Sequence, residues 1–164
     1  MRTHDREVRN SGHMERFAAA APQLADLGLK LLNHYGSDFL STVRKDGSPL
    51  LHPVVPIVTE ERLFVFCGGP KVYDLRRDGR YVLDALIDRD DTEFLVAGRA
   101  VDVNDDRALR AVVAKAAPCK VPDDPGHLTH LLSEFDIERV HTTSWFHSGQ
   151  PDKRPTHADW SERN

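Results

Sequence analysis

The sequence predicts a mainly β domain, a six-stranded antiparallel barrel with a few peripheral helices. Six segments are rich in β-branched and aromatic residues, which strands favour. The turns between them are mostly short, and one contains Asp46-Gly47, a dipeptide typical of tight hairpins. The helical segments do not alternate regularly with the strands, as they would in a doubly wound parallel sheet. A small antiparallel sheet of this kind removes its open edges by closing into a barrel.

The first half of the chain is predicted to contain one helix and three strands. The helix covers 21–36, because Pro22 suits a first turn, Gly36 can end the helix, and three leucines share one face: Leu24, Leu27 and Leu31. The strands cover 38–43, 48–58 and 62–67. Proline cannot donate to a strand ladder, so Pro53 and Pro56 predict that the second strand is at an edge or irregular at those points.

The second half is predicted to contain three helices and three strands. A short helix follows Gly68-Gly69-Pro70, and strands over 80–87 and 93–103 come next. A helix over 105–117 has one apolar face and ends before Pro118. Another helix is predicted over 123–135, from Asp124 as its cap and from the spacing of Leu128, Leu131, Leu132 and Phe135. A last strand is predicted over roughly 136–146.

These elements predict a single domain over 14–147, which suits a chain of 164 residues. Residues 1–13 are expected to be a disordered tail or residues left from cloning. Residues 148–164 are expected to be a C-terminal tail in coil conformation.

The composition argues against several classes of function. The formal net charge is −4, so no global basic field attracts nucleic acid or an anionic membrane. No apolar run is long enough to span a bilayer, and the N-terminus lacks the apolar core of a secretory signal. The two cysteines, Cys67 and Cys119, are too few for a disulfide framework. We therefore expect a cytoplasmic protein without a nucleic-acid or membrane partner.

The sequence assigns neither a metal site nor a catalytic residue. His127 and His130 lie three residues apart, but no third ligand stands at motif spacing. The order of residues supports no Ser-His-Asp triad and no pair of catalytic carboxylates. Cys67 is either a reactive thiol or, as is commoner at a strand end, a small buried residue.

The segment FCGGPKVYDLRRDGR places Lys71 at the start of the short helix, directly after two glycines and Pro70. A helix N-terminus carries exposed N–H groups and a partial positive charge, which attract anions. The glycines allow the backbone to approach a ligand closely, and the lysine adds a full charge, so the motif suits a phosphate. The alternative is a solvated lysine at a turn, which is the commoner occurrence for a motif taken by itself.

The order of the motifs resembles the pyridoxamine 5′-phosphate oxidase-like FMN-binding split-barrel family, which contains flavin and deazaflavin oxidoreductases. The resemblance runs from about Asp38 to Trp145 through LLHPVVPIV, RLFVFCGGPKVYDLRRDGRYVL, EFLVAGRAV and RVHTTSW. It implies a split β-barrel with bound FMN, a homodimer, and transfer of hydride or electrons to a small-molecule substrate.

The resemblance also implies which residues contact the cofactor. It places the strand containing His52, Val54, Val55 and Pro56 along the flavin, and the end of the next strand, Phe66 and Cys67, against it. Lys71 matches the lysine that holds the phosphate, although Pro70 stands where many members have arginine or serine. Glu93 takes the position of a flavin-contacting glutamine. Trp145, with Arg154 as a weaker match, corresponds to residues that reach the partner subunit's flavin.

Two alternatives to an FMN oxidoreductase stay open. A basic cluster could receive the polyglutamate tail of deazaflavin F420 in an F420-dependent reductase: Lys71, Arg76, Arg77 and Arg80. The absence of a substrate-specific motif also fits a flavin-binding protein without turnover. The basic substrate-phosphate signature of true pyridoxamine phosphate oxidases is not visible near the C-terminus, which argues against that activity.

Overall fold

The computed structural model describes residues 13–32, 34, 36–59, 61–85, 91–118, 130–146 and 149–162. In this part of the chain there are four helices and eight strands. The helices are α1 (His13–Ala20), α2 (Pro22–Leu32), α3 (Pro70–Arg77) and α4 (Arg107–Ala116). The strands are β1 (Asp38–Val43), β2 (Pro49–Val54), β3 (Pro56–Thr59), β4 (Arg62–Cys67), β5 (Arg80–Ala85), β6 (Thr92–Asp102), β7 (Leu131–Phe146) and β8 (Arg154–Ser161).

All strand pairs are antiparallel and form one sheet with the order β2-β1-β5-β6-β7-β4-β3. The two strands at the ends of this order, β2 and β3, are consecutive in the chain and meet at Val55. The chain therefore crosses from one end of the sheet to the other in a single residue, and the sheet must curl into a half-barrel to allow this.

Strand β7 organises the second half of the sheet. One of its edges pairs with β6 along nearly the whole strand. Its other edge is shared, because β4 pairs with residues 131–134 and β8 pairs with residues 139–146. Between Ala97 and Gly98 the register of β6 against β7 shifts. A Cβ on Gly98 would lie 1.9 Å from the carbonyl oxygen of Asp136, so the strands can approach this closely only at a glycine.

The main core lies on the inner face of the sheet and is closed by α1, α2 and α3. Phe94 and Leu40 are fully buried there, and the side of α2 at Gly28 packs so close to Phe94 that a Cβ would meet its ring at 2.1 Å. Helix α3 contributes Val72 and Leu75 to this core. Their burial fixes the helix, and with it the position of Lys71, against the half-barrel.

A smaller core lies on the other face of β4, under α4. It contains Ile57, Phe64, Val113 and Leu132. The predicted helix over 105–117 is thus confirmed as α4, and Asp106 caps it by accepting a hydrogen bond from the N–H of Leu109 at 2.9 Å.

The helix predicted over 123–135 is wrong where the structure describes it, since residues 131–135 belong to β7; residues 119–129 lie outside the described residues. Leu131 and Phe135 face the main core, whereas Leu132 packs in the smaller core under α4. Because both faces of this strand are buried, its apolar residues do not alternate, and their spacing cannot be told from that of a helix. The last strand accordingly begins at Leu131 rather than near 136.

The coil predicted for the C-terminal tail is also wrong, because residues 154–161 form β8. This strand is mostly exposed and contains Pro155 near its start, features that edge strands tolerate. The segment over 48–58 divides into β2 and β3 at Val55, as its prolines predicted. This division and β8 account for eight strands in the described residues instead of six. The other predicted strands and helices are confirmed within a few residues, and no helix in the described ranges is long and apolar enough to cross a membrane.

Candidate cofactor site

Lys71 lies in the first turn of α3, which begins at Pro70. Gly69 precedes the helix with φ 65° and ψ −150°, a conformation that glycine adopts without strain. Within the described residues, no side chain caps this helix end. The N-terminus of α3 is therefore available to an anion, and the half-buried Lys71 stands beside it.

A groove of about 690 Å³ runs between this helix end and the β1–β2 turn. Arg44 and Lys45 supply two cations to it, and its other lining residues are Asp46, Leu50, Pro70, Tyr73 and Asp74. Lys71 directly follows Pro70 at the edge of this groove. The sequence analysis missed Arg44 and Lys45, because only the fold shows that the hairpin turn lies against the start of α3.

The two carboxylates of the groove are engaged elsewhere. Asp46 accepts hydrogen bonds from the hydroxyl of Ser48 at 2.7 Å and from its N–H at 3.0 Å, and the hydroxyl contact is the main cause of its lowered pKa. Asp74 accepts from the Thr42 hydroxyl at 3.2 Å and from Arg77 at 3.0 Å. With these carboxylates held by their own donors, the groove offers cations rather than acceptors to a ligand.

His52 stands close to this charged group. It lies on β2 opposite Leu40 and is half-buried. Its Nε2 is buried and finds no hydrogen-bond partner within the described ranges. Burial lowers the pKa of the imidazole, the charges of Lys71 and Arg44 lower it further, and Asp74 opposes them. The structure thus brings His52 close enough to Lys71 and Arg44 for their charges to act on its imidazole.

The remaining residues of this part of the predicted site are less accessible. Val54, Pro56 and Cys67 are buried, and Val55 is half-buried at the junction of β2 and β3. Burial raises the pKa of the Cys67 thiol to about 12, so the thiol stays protonated and the reactive-thiol alternative loses its support. Phe66 lies on the opposite face of β4 from Cys67, with the Arg110 guanidinium 4.9 Å from its ring centroid. One ligand cannot contact both side chains.

Glu93 and Trp145 lie on the outer face of the sheet. Glu93 pairs with Thr143, and Trp145 follows two residues later on the same face. The Trp145 ring is 38% exposed, and the ammonium of Lys153 lies 4.6 Å from its centroid. His52 shares the inner face with Leu40. A single copy of the chain therefore does not bring Glu93 and Trp145 to the groove at Lys71.

Nothing in the described parts of the chain gathers three or more metal-ligating side chains. His127 lies outside those parts. The backbone carbonyl of His130 accepts a hydrogen bond from Arg110 at 2.6 Å.

Comparisons with known proteins identify the fold but find no relative of similar sequence. No family model matches the sequence, and no curated protein matches it. A NimC/NimA family protein from Clostridium acetobutylicum shares 13% identity at a TM-score of 0.63, over 87% of this chain and 98% of that one. A pyridoxamine 5′-phosphate oxidase-related, FMN-binding protein from Nostoc punctiforme shares 13% identity at a TM-score of 0.56, over 88% and 96% of the two chains. An FAD-binding protein from Mesorhizobium loti shares 18% identity at a TM-score of 0.54, over 72% and 92%. These likenesses confirm the predicted fold.

Proposed function

We propose that this chain, which has the split-barrel fold of the pyridoxamine 5′-phosphate oxidase-like proteins, binds FMN and is an oxidoreductase acting on a small molecule. The observation that carries the proposal is the cationic groove at the start of α3. Arg44 and Lys45 line this groove, Lys71 follows the lining residue Pro70, and the charges of Lys71 and Arg44 reach the half-buried His52.

The groove fits a phosphate group in three respects. The uncapped N-terminus of α3 offers a partial positive charge, and Lys71 and Arg44 offer full charges. The nearby carboxylates are occupied by their own donors. A phosphate would also offset the charges of Lys71 and Arg44, which, after burial, lower the pKa of His52.

When bound, FMN supplies the hydride- and electron-transfer chemistry. The chain's own residues then have binding and positioning roles. Lys71 and Arg44 would hold the phosphate, and His52 lies near both cations with its Nε2 buried. The apolar lining residues Leu50 and Pro70 would keep water from one side of the ligand. No acid or base in the groove is assigned to a catalytic proton transfer.

A homodimer belongs to this proposal, because Glu93 and Trp145 lie on the face opposite to the groove. They can contribute to a cofactor site only if they reach the groove of a second copy, as the family resemblance implies for Trp145. A cytoplasmic location, expected from the cysteine count, stays a prediction.

The F420 alternative has weaker support than FMN. Of the four cations considered for its polyglutamate tail, three are engaged within the chain. Arg76 pairs with Asp102 at 2.6 Å. Arg77 donates to Asp74 and to the Val43 carbonyl, and Arg80 pairs with Asp78 at 2.5 Å. Only Lys71 is left to receive the tail without breaking an ion pair.

The test is a titration of the purified chain with FMN and, separately, with F420, followed by fluorescence and absorbance. We expect FMN to bind and its absorbance band to bleach when a reduced nicotinamide is added anaerobically. Binding of F420 without FMN would refute the cofactor assignment. FMN that binds but that neither NADH nor NADPH reduces would favour the flavin-binding protein without turnover.

A further inference from the structure

The groove at the start of α3 is larger than the phosphate group of FMN requires. Its volume of about 690 Å³ falls within the roughly 300–1,000 Å³ of pockets that enclose whole small molecules. One wall of the groove is the beginning of α3, which includes Tyr73. The other wall is the hairpin of β1 and β2, which includes Arg44, Lys45 and Leu50. The groove therefore has space for a part of the ligand that lies beyond its first phosphate.

The cations of the groove are spread over both walls. Lys71 lies at the helix end, whereas Arg44 and Lys45 lie on the hairpin wall. Arg44 and Lys45 are exposed, and neither side chain makes a hydrogen bond or an ion pair with any described residue. Cations on two walls suit two linked phosphates, each with one negative charge, better than a single phosphate held at one point.

Tyr73 supplies an aromatic surface to the same groove. It follows Pro70 by three residues on α3, and residues at this spacing share one face of a helix. Its side chain is 59% exposed and makes no ring contact with any other part of the described chain. Leu50 lines the opposite wall. A planar ring placed between Tyr73 and Leu50 would stack on the tyrosine, as nucleobases do on exposed aromatic side chains.

The order of these features matches the order of groups in a dinucleotide. In the proposed function the phosphate of the cofactor docks at the N-terminus of α3, beside Lys71. A group attached to that phosphate on the side away from His52 would meet Arg44 and Lys45 across the groove. It would meet the ring of Tyr73 within the next helical turn. A second phosphate followed by a base has this order of charge and aromatic surface.

The aromatic surface distinguishes a nucleotide from a purely anionic extension. The polyglutamate tail of F420 could pair with Arg44 and Lys45, but it has no ring to cover Tyr73 and Leu50. A nucleobase linked through two phosphates uses the cations and the apolar surface together. The residues of the groove therefore favour a nucleotide over an anionic tail.

We propose that this groove binds the ADP half of FAD, with the second phosphate on Arg44 and Lys45 and the adenine ring against Tyr73. The chain then binds FAD more tightly than FMN, because FMN fills only the part of the site beside Lys71. The inference rests on the flavin binding of the proposed function, and it concerns the half of the ligand that FMN lacks.

The test is isothermal titration calorimetry of the chain with FMN, FAD and ADP. FAD should bind at least about tenfold more tightly than FMN, the effect expected of one stacked base and one charged contact. ADP alone should bind, and FAD should displace it. Tyr73→Ala should weaken FAD and ADP about tenfold and leave FMN within about twofold of the wild-type value. Tyr73→Phe keeps the ring and should bind FAD within about threefold of wild type.

Lys45→Gln should weaken FAD more than FMN, because Lys45 faces the second phosphate. Tyr73 and Lys45 are both exposed, so these substitutions leave the fold intact. Arg107→Gln, which changes an exposed arginine at the start of α4, is the matched control and should change neither affinity.

Equal affinities for FMN and FAD would overturn the inference and leave the proposed function standing. A Tyr73→Ala chain that loses FMN and FAD alike would also overturn it, because the tyrosine would then act on the half that the two flavins share. Binding of ADP that depends on Tyr73, with neither flavin bound, would do the reverse: the flavin assignment would fail and the nucleotide site would stand.

Discussion

Replacement of Lys71 by alanine separates a phosphate-binding lysine from a solvated one. The lysine is half-buried at the open N-terminus of α3, where a charged hydrogen bond to a phosphate contributes about 1.5–3 kcal/mol. At about 1.4 kcal/mol per tenfold change, Lys71→Ala should weaken FMN by roughly one to two decades. Riboflavin has no phosphate, so its dissociation constant should hardly change.

Fluorescence titrations of both ligands, with the wild-type chain and with Lys71→Ala, measure the difference. Lys115→Ala, which removes an exposed lysine from the last turn of α4, is the control. A second readout needs no flavin: the Lys71 charge lowers the pKa of His52, so Lys71→Ala should raise the His52 pKa in an NMR titration. Equal losses for FMN and riboflavin, or no loss for either, would refute the phosphate assignment. A raised His52 pKa without any change in FMN binding would show that Lys71 and His52 are neighbours but that the groove does not bind the FMN phosphate.

Two further predictions concern the core thiol and the β-bulge. Cys67, buried and with its pKa raised to about 12, should react with iodoacetamide only after unfolding; rapid labelling of the folded chain would contradict its burial. Gly98→Ala should destabilise the chain by at least about 1–3 kcal/mol in urea unfolding, since its Cβ would clash with a backbone oxygen; a neutral effect would mean that the strands separate easily there.

The unit from β4 through α3 to β5 was predictable because its signals are local. Gly69 and Pro70 determine where β4 ends and α3 begins, and Gly79 has φ 76° at the turn into β5. The backbone preferences of glycine and proline act locally and do not depend on the rest of the fold. The position of Lys71 at a helix start followed from the sequence for the same reason.

The segments that the sequence predicted wrongly depend on distant partners. Leu131 to Glu134 form a strand because β4, some 70 residues earlier in the chain, pairs with them. Arg62 and Glu134 hold that pairing with two hydrogen bonds of 2.5–2.6 Å. Strand β8 likewise shows little alternation of apolar and polar residues, and it forms because its backbone can pair with the edge of β7. The proximity of Arg44 to the start of α3 could not be predicted from the sequence for the same reason, because it depends on how the sheet curls.

The divided edge of β7 has a consequence for how the chain behaves when it is shortened. Strand β8 supplies the only partner described for residues 139–146 on that side. Removal of everything from Arg154 onward would uncover eight successive backbone positions, and unpaired N–H and C=O groups in such a row recruit strands from other molecules. Although β8 buries little itself, a shortened chain should polymerise rather than unfold. The C-terminal strand therefore protects the protein against self-assembly into fibres more than it strengthens the core.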